Sequence, residues 1–184
     1  MRRSRLRRLL LAALGALVAL AVAWTELPDS LGVLLPAPAH DLTPPARFDF
    51  AGAATVVDGD TIQVAGRRIR LIGVDAPEGR QSCERGGVTW ACGADAAAAL
   101  RDMLRGRRVG CAQNGRDQYN RVLAHCWAEG QDIGAWMVGE GLAVAYTRYS
   151  TRYVAQERAA RRERHGLWAG SFENPEEWRR RNAR

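Results

Sequence analysis

The pattern of apolar and polar positions becomes regular only beyond residue 48, where short alternating runs predict a folded domain. AATVVDGDTIQVAG (53–66) reads as two strands joined through Asp58-Gly59, a dipeptide suited to tight hairpin turns. RRIRLIGV (67–74) continues as a third strand, turning near Ala65-Gly66. The stretch EGRQSCERGGVTWACG (78–93) is too rich in glycine and polar residues for regular structure and reads as a loop. In ADAAAALRDMLRG, Ala97, Leu100, Met103 and Leu104 share one helical face and Gly106 closes the helix. RRVGCAQNGRDQYNRVLAHCWAEG (107–130) supplies a fourth and a fifth strand around the charged segment NGRDQYN. DIGAWMVGEGLA and RYVAQERAARRERHGLW read as a second and a third helix. Three strands, a helix, two strands and further helices match an α+β OB-fold: a five-stranded barrel with three helices. A hairpin-rich α+β sandwich is the alternative.

Upstream the pattern differs. MRRSRLRR precedes an apolar run from Leu9 to Trp24, short for a bilayer span of about 20 residues. It reads as a signal peptide with Ala21-Val22-Ala23 as a small-x-small cleavage site, or as an uncleaved N-terminal membrane anchor. Both predict export, to the periplasm or beyond it, or attachment to the inner membrane. Residues 25–47 hold five of the seven prolines and read as an extended spacer, and 171–184 as a charged, solvated tail.

Composition adds little about partners. All 27 basic residues are arginine, but five lie in the first eight positions; without them 22 arginines face 20 acids. The formal charge of +7 is therefore weak support for nucleic acid. The four cysteines are more informative in an exported chain. Cys83 and Cys92, and Cys111 and Cys126, lack the CxxC spacing of zinc sites and predict two disulfides in those pairs, the second bridging neighbouring strands. The absence of a CxxC pair also argues against disulfide-exchange chemistry.

Candidate chemistry gathers at strand ends. Asp60 leaves the 58–59 turn and Asp75 closes strand three, so a paired second and third strand brings both carboxylates to one end. Such carboxylates repel unless a cation joins them, and a hard divalent ion accepts carboxylate, carbonyl and water oxygens. The Ala76 carbonyl faces the same region. Pro77 fixes the loop presenting Glu78, which could position or deprotonate a water. Arg70 within a strand and Arg121 after a turn offer two guanidinium forks able to grip a phosphodiester and stabilise added negative charge. Asp58 is explained by capping the turn. His40, His125 and His165 are scattered and give no catalytic constellation. GLAVAYTRYSTRY interleaves Tyr146, Tyr149 and Tyr153 with Arg148 and Arg152, which could hold a single strand of nucleic acid. Tyr149 and Tyr153, at helical spacing, also read as packing residues, as do Trp127, Trp136, Trp168 and Trp178.

In that order DGDT, RLIGVDAPE, DQYNR and GLAVAY resemble the staphylococcal-nuclease-like (thermonuclease) family over residues 52–170. The resemblance implies an OB-fold with three helices and Ca2+-dependent hydrolysis of DNA or RNA, leaving 3′-phosphate ends, by a chain expected to be monomeric. It implies Asp60, Asp75 and the Ala76 carbonyl as calcium ligands, Glu78 as general base or water-orienting acid, and Arg70 and Arg121 as the phosphate-binding pair. Tyr119 and Tyr146 match aromatics of the nucleotide pocket, with Arg148 beside them where a second tyrosine is familiar. Gln118 stands in place of a lysine and Asn120 in place of a glycine. The alternative is a non-catalytic nucleic-acid-binding OB module, but both acids of the cation pair, the third acid and both arginines are present.

Overall fold

A computed structural model describes residues 40–183. The signal or anchor expected over 9–24, and the spacer as far as residue 39, lie outside the described residues. Strands β1 (Phe50–Asp58), β2 (Thr61–Val64) and β3 (Arg67–Leu71) form an antiparallel meander. Asp58 pairs with Thr61 across the expected turn, after a register shift beyond Val56. The β2–β3 turn lies at Ala65 and Gly66, both at positive φ (48° and 73°), the conformation a tight two-residue hairpin requires.

A two-residue β4 (Val74–Asp75) follows, then a hairpin of β5 (Cys83–Arg85) and β6 (Val88–Trp90). This hairpin corrects the expectation of an irregular loop: Gly86 and Gly87, both at positive φ, make a tight turn, and the Cys83–Cys92 disulfide closes its base. Helix α1 (Cys92–Leu104) turns Ala96, Leu100, Met103 and Leu104 inward, as its apolar spacing predicts. β7 (Arg108–Arg116) and β8 (Val122–Ala128) pair antiparallel, with Cys111 opposite Cys126 and disulfide-bonded to it.

β7 also pairs with β1, and β8 runs parallel to β3 with Arg70 opposite Leu123, closing a five-stranded barrel. Ile62, Val64, Ile69, Val109, Val122 and Ala124 fill it. The OB-type α+β fold expected from the element order is the fold found.

After β9 (Gln131–Asp132), helix α2 (Ile133–Gly139) buries Ile133, Met137 and Val138; β10 (Val144–Ala145) then pairs with β4. Helix α3 (Val154–Glu163) ends at Arg164 in the left-handed conformation, followed by a 3-10 turn at Gly166–Ala169. A fourth helix, α4 (Pro175–Asn182), replaces the expected solvated tail. Its sequence explains it: Asn174 caps the Glu176 amide, Pro175 sits in the first turn, and Arg179–Arg181 meet the negative helix end. The expected spacer also reaches the body, since Trp127 Nε1 donates to the Leu42 carbonyl at 2.7 Å. Among the described residues no helix is long and apolar enough to cross a membrane.

Candidate active site

The β2–β3 register sets the site. Thr61 lies opposite Arg70, and the Leu71 amide donates to the Asp60 carbonyl at 2.9 Å, so Asp60 and the end of β3 are neighbours. Gly59 allows the chain after β4 to pass close by, because a Cβ there would stand 2.6 Å from that of Ala76. The Ala76 amide donates to Asp60 Oδ2 at 3.0 Å. Arg70 then joins both aspartates: one terminal nitrogen lies 2.7 Å from Asp60 Oδ2 and the other 3.2 Å from Asp75 Oδ1. It also donates to the Val74 carbonyl at 2.9 Å. Asp60, Asp75, Ala76 and Arg70 are thus brought together by fold contacts, with the aspartates held within the span of one guanidinium.

Glu78 borders the same corner. Its amide donates to Gln81 Oε1 and its carbonyl accepts from the Gln81 amide. Gln81 is buried and donates in turn to the Glu173 carbonyl at 2.7 Å. Gly93 lets α1 abut this segment, since a Cβ would lie 1.7 Å from the Glu78 carbonyl oxygen.

A cleft of about 1170 Å³ opens from this corner, and Asp60, Glu78, Arg121, Tyr119, Tyr146 and Arg148 all border it. Arg121 is held by Asp117, with Nε 2.6 Å from Oδ2, and its guanidinium carbon lies 5.6 Å from the Tyr119 ring centre. Against the effect of burial, bonds from the Arg121 side chain and from the Arg121 and Tyr119 amides hold Asp117 below the usual carboxylate range. Asn120 adopts a left-handed φ of 61°, which asparagine tolerates where glycine is commoner. Tyr119 is 71% exposed. The Tyr146 and Tyr149 rings meet at a tilt of 56° with centres 5.0 Å apart. Tyr149 therefore faces the cleft and is not packed, whereas Tyr153 is buried in the core. Arg148 pairs with Glu176 of α4 at 2.8 Å.

Sequence reasoning missed Arg179 altogether. From α4 it donates to Asp75 Oδ1 and Oδ2 (2.8 and 3.2 Å) and to Glu78 Oε1 (3.0 Å). The NPEE helix start and the RRR end were a signal that a helix forms. Nothing in the sequence, however, points to a partner 104 residues away.

The donor chemistry suits a hard cation. Two aspartates and a backbone segment offer oxygen only, although among the described residues no group of three or more His, Cys, Asp or Glu is arranged to hold a metal ion. Oxygen donors of this kind are those a hard cation accepts together with water or a substrate oxygen. Burial pushes the Asp60 carboxyl up to about 7, despite the opposing pull of Arg70.

Comparison with known proteins adds the following. The sequence model of one family, described as staphylococcal nuclease homologue, matches residues 68–170. The succinoglycan biosynthesis protein ExoI of Rhizobium meliloti is 36% identical over 133 residues, covering 70% of each chain. A micrococcal nuclease of Shigella flexneri is 36% identical over 155 residues, covering 74% of this chain and 84% of that protein. A probable endonuclease, lcl3, of Sclerotinia sclerotiorum is 32% identical over 147 residues, covering 72% of this chain and 54% of that longer protein.

Proposed function

We propose, on the premise that this chain belongs to the staphylococcal nuclease family, that it is an exported nuclease hydrolysing phosphodiester bonds of DNA or RNA with Ca2+ as its cofactor. The observation that carries this reading is that Arg70 joins Asp60 to Asp75, and Arg179 joins Asp75 to Glu78, beside a cleft bordered by Asp60, Arg70, Glu78 and Arg121. Asp60, Asp75 and the Ala76 carbonyl would hold the cation, which when bound supplies Lewis-acid polarisation of a phosphoryl oxygen. Glu78 orients a water and accepts its proton for in-line attack on phosphorus. Arg121 is tied at Nε, leaving its terminal nitrogens to bind phosphate and stabilise the charge of the five-coordinate transition state. Arg70 works at the same centre from within β3, and its bonds to both aspartates give it a structural role besides. Tyr119 and Tyr146 supply faces on which a base stacks, and Arg148 sits beside them. Departure of the 5′ oxygen leaves a 3′-phosphate. Two disulfides among the described residues support an oxidising compartment, in keeping with export.

The test is cleavage of plasmid DNA and of RNA by the purified protein, with calcium and with chelator, followed by end-group analysis. Calcium-dependent products ending in 3′-phosphate are expected. Retention of either nucleic acid without cleavage under all metal conditions would instead mark a binding module.

A further inference from the structure

We propose that Arg179 is a built-in cation standing where a divalent metal must bind Asp75, so that α4 is a latch which metal binding displaces. This inference rests on the nuclease reading above and concerns the regulation of the same site.

Asp75 is the starting point. The residue is 0% exposed, and its two carboxylate oxygens are covered by Arg70 and Arg179. A metal ion therefore reaches Asp75 only if one of these guanidinium groups leaves. Arg70 is fixed: its side chain is 12% exposed and is bonded also to Asp60 and to the Val74 carbonyl. The Arg179 side chain is 35% exposed and rides on an eight-residue helix in which Pro175 alone is buried. A helix that short has little stability of its own and depends on its contacts.

The contacts are unequal along its length. The approach to α4 is anchored to the disulfide-closed hairpin, where Glu84 and Ser171 exchange two backbone hydrogen bonds and Gln81 binds the Glu173 carbonyl. Glu176, near the start of the helix, pairs with Arg148 at the cleft. Further along, Arg179 makes the bonds to the catalytic corner, while Arg181 bonds back to Glu173 within the same segment. The segment is thus hinged at a stapled end, and Arg179 is the catch.

The catch blocks two functions together. It screens the Asp75 carboxylate from metal and occupies Glu78 Oε1, the oxygen that would hold water. A divalent ion brings twice the charge of a guanidinium to Asp75 and repels Arg179, so loading the metal and releasing Glu78 become one event.

The experiment titrates the full-length protein with calcium chloride alone, by calorimetry. Wild type is compared with Arg179→Ala and Arg179→Lys, and amide hydrogen exchange is followed over residues 175–182 of wild type. Loss of two or three charge-assisted hydrogen bonds from the competitor should tighten calcium binding in Arg179→Ala by about ten-fold or more. Arg179→Lys, which keeps the charge but not the fork, should fall between. Calcium should accelerate exchange over 175–182 in wild type, a measurement independent of whether any variant folds. Unchanged or weaker calcium affinity in Arg179→Ala, or exchange unmoved by calcium, overturns the latch while calcium-dependent cleavage leaves the nuclease reading intact. Absence of both calcium binding and cleavage in all three proteins overturns both.

Discussion

Asp75 and Asp132 are both buried aspartates gripped by arginine, yet they are built differently. Asp132 caps α2 by accepting the Ala135 amide, accepts the Tyr153 hydroxyl at 2.9 Å, and receives Nε and a terminal nitrogen of Arg152 at 3.2 and 3.1 Å. Tyr153 also meets His125 Nδ1 at 3.1 Å, and Arg152 lies over the Trp127 and Tyr153 rings. The donors to Asp132 come from α2 and from the segment that leads into α3. Asp75 receives two guanidinium groups at the head of a cleft, one of them from a terminal helix on which little else is buried. A buried charge that serves the fold is ringed by partners from the surrounding packing. On the reading proposed above, a buried charge that serves chemistry, as Asp75 would, keeps a partner that can be exchanged.

The contrast can be broken from either side. Glu78→Gln removes the carboxylate proposed to orient water and should lower turnover by roughly 10²–10⁴-fold with the melting temperature little changed, as paired kinetics and thermal unfolding would show. A similar rate in this variant would sink its role. Asp132→Ala should do the reverse, costing about 3–5 kcal/mol in denaturant unfolding, since it strands Arg152 and removes a helix cap, while activity per folded molecule is retained. A smaller effect sharpens the comparison through pH. Burial, with help from Arg152, lowers His125 from 6.5 to about 4. The unfolded chain therefore takes up a proton below about 6.5 that the native state refuses until about 4, so stability falls as pH drops through that window. Between pH 7 and pH 4.5 wild type should lose about 1–3 kcal/mol more than His125→Gln, measured by urea unfolding at each pH.

Much of this was legible in the chain because local rules and tertiary demands agree. Asp58-Gly59 and Ala65-Gly66 mark turns that place Asp60 and Arg70 at one end of a ribbon. The Cys111 and Cys126 spacing suits strands that prove to be paired. The misreadings share a cause. The 83–90 hairpin carries no alternating apolar face, so by pattern alone its Gly86-Gly87 turn reads as loop. Helix α4 has a complete set of end signals but no apolar stripe, because it presents charge to a cleft rather than side chains to a core. Tyr149 and Tyr153 share helical spacing, but both precede α3: Tyr153, at its N-cap, is buried and bonded to Asp132, while Tyr149 is exposed at the cleft. Patterns based on burial do not register elements whose partners are ionic and distant.

The parallel pairing of β3 with β8 has a consequence for how the protein comes into being. Arg70 sits opposite Leu123, so the two walls bearing Arg70 and Arg121 meet only when the barrel shuts. A nascent chain that has emerged as far as β7 already owns both aspartates and Glu78, but it has no groove in which to seat a polymer. Closure of the barrel, rather than growth of the chain, is therefore what brings the two walls of the cleft together.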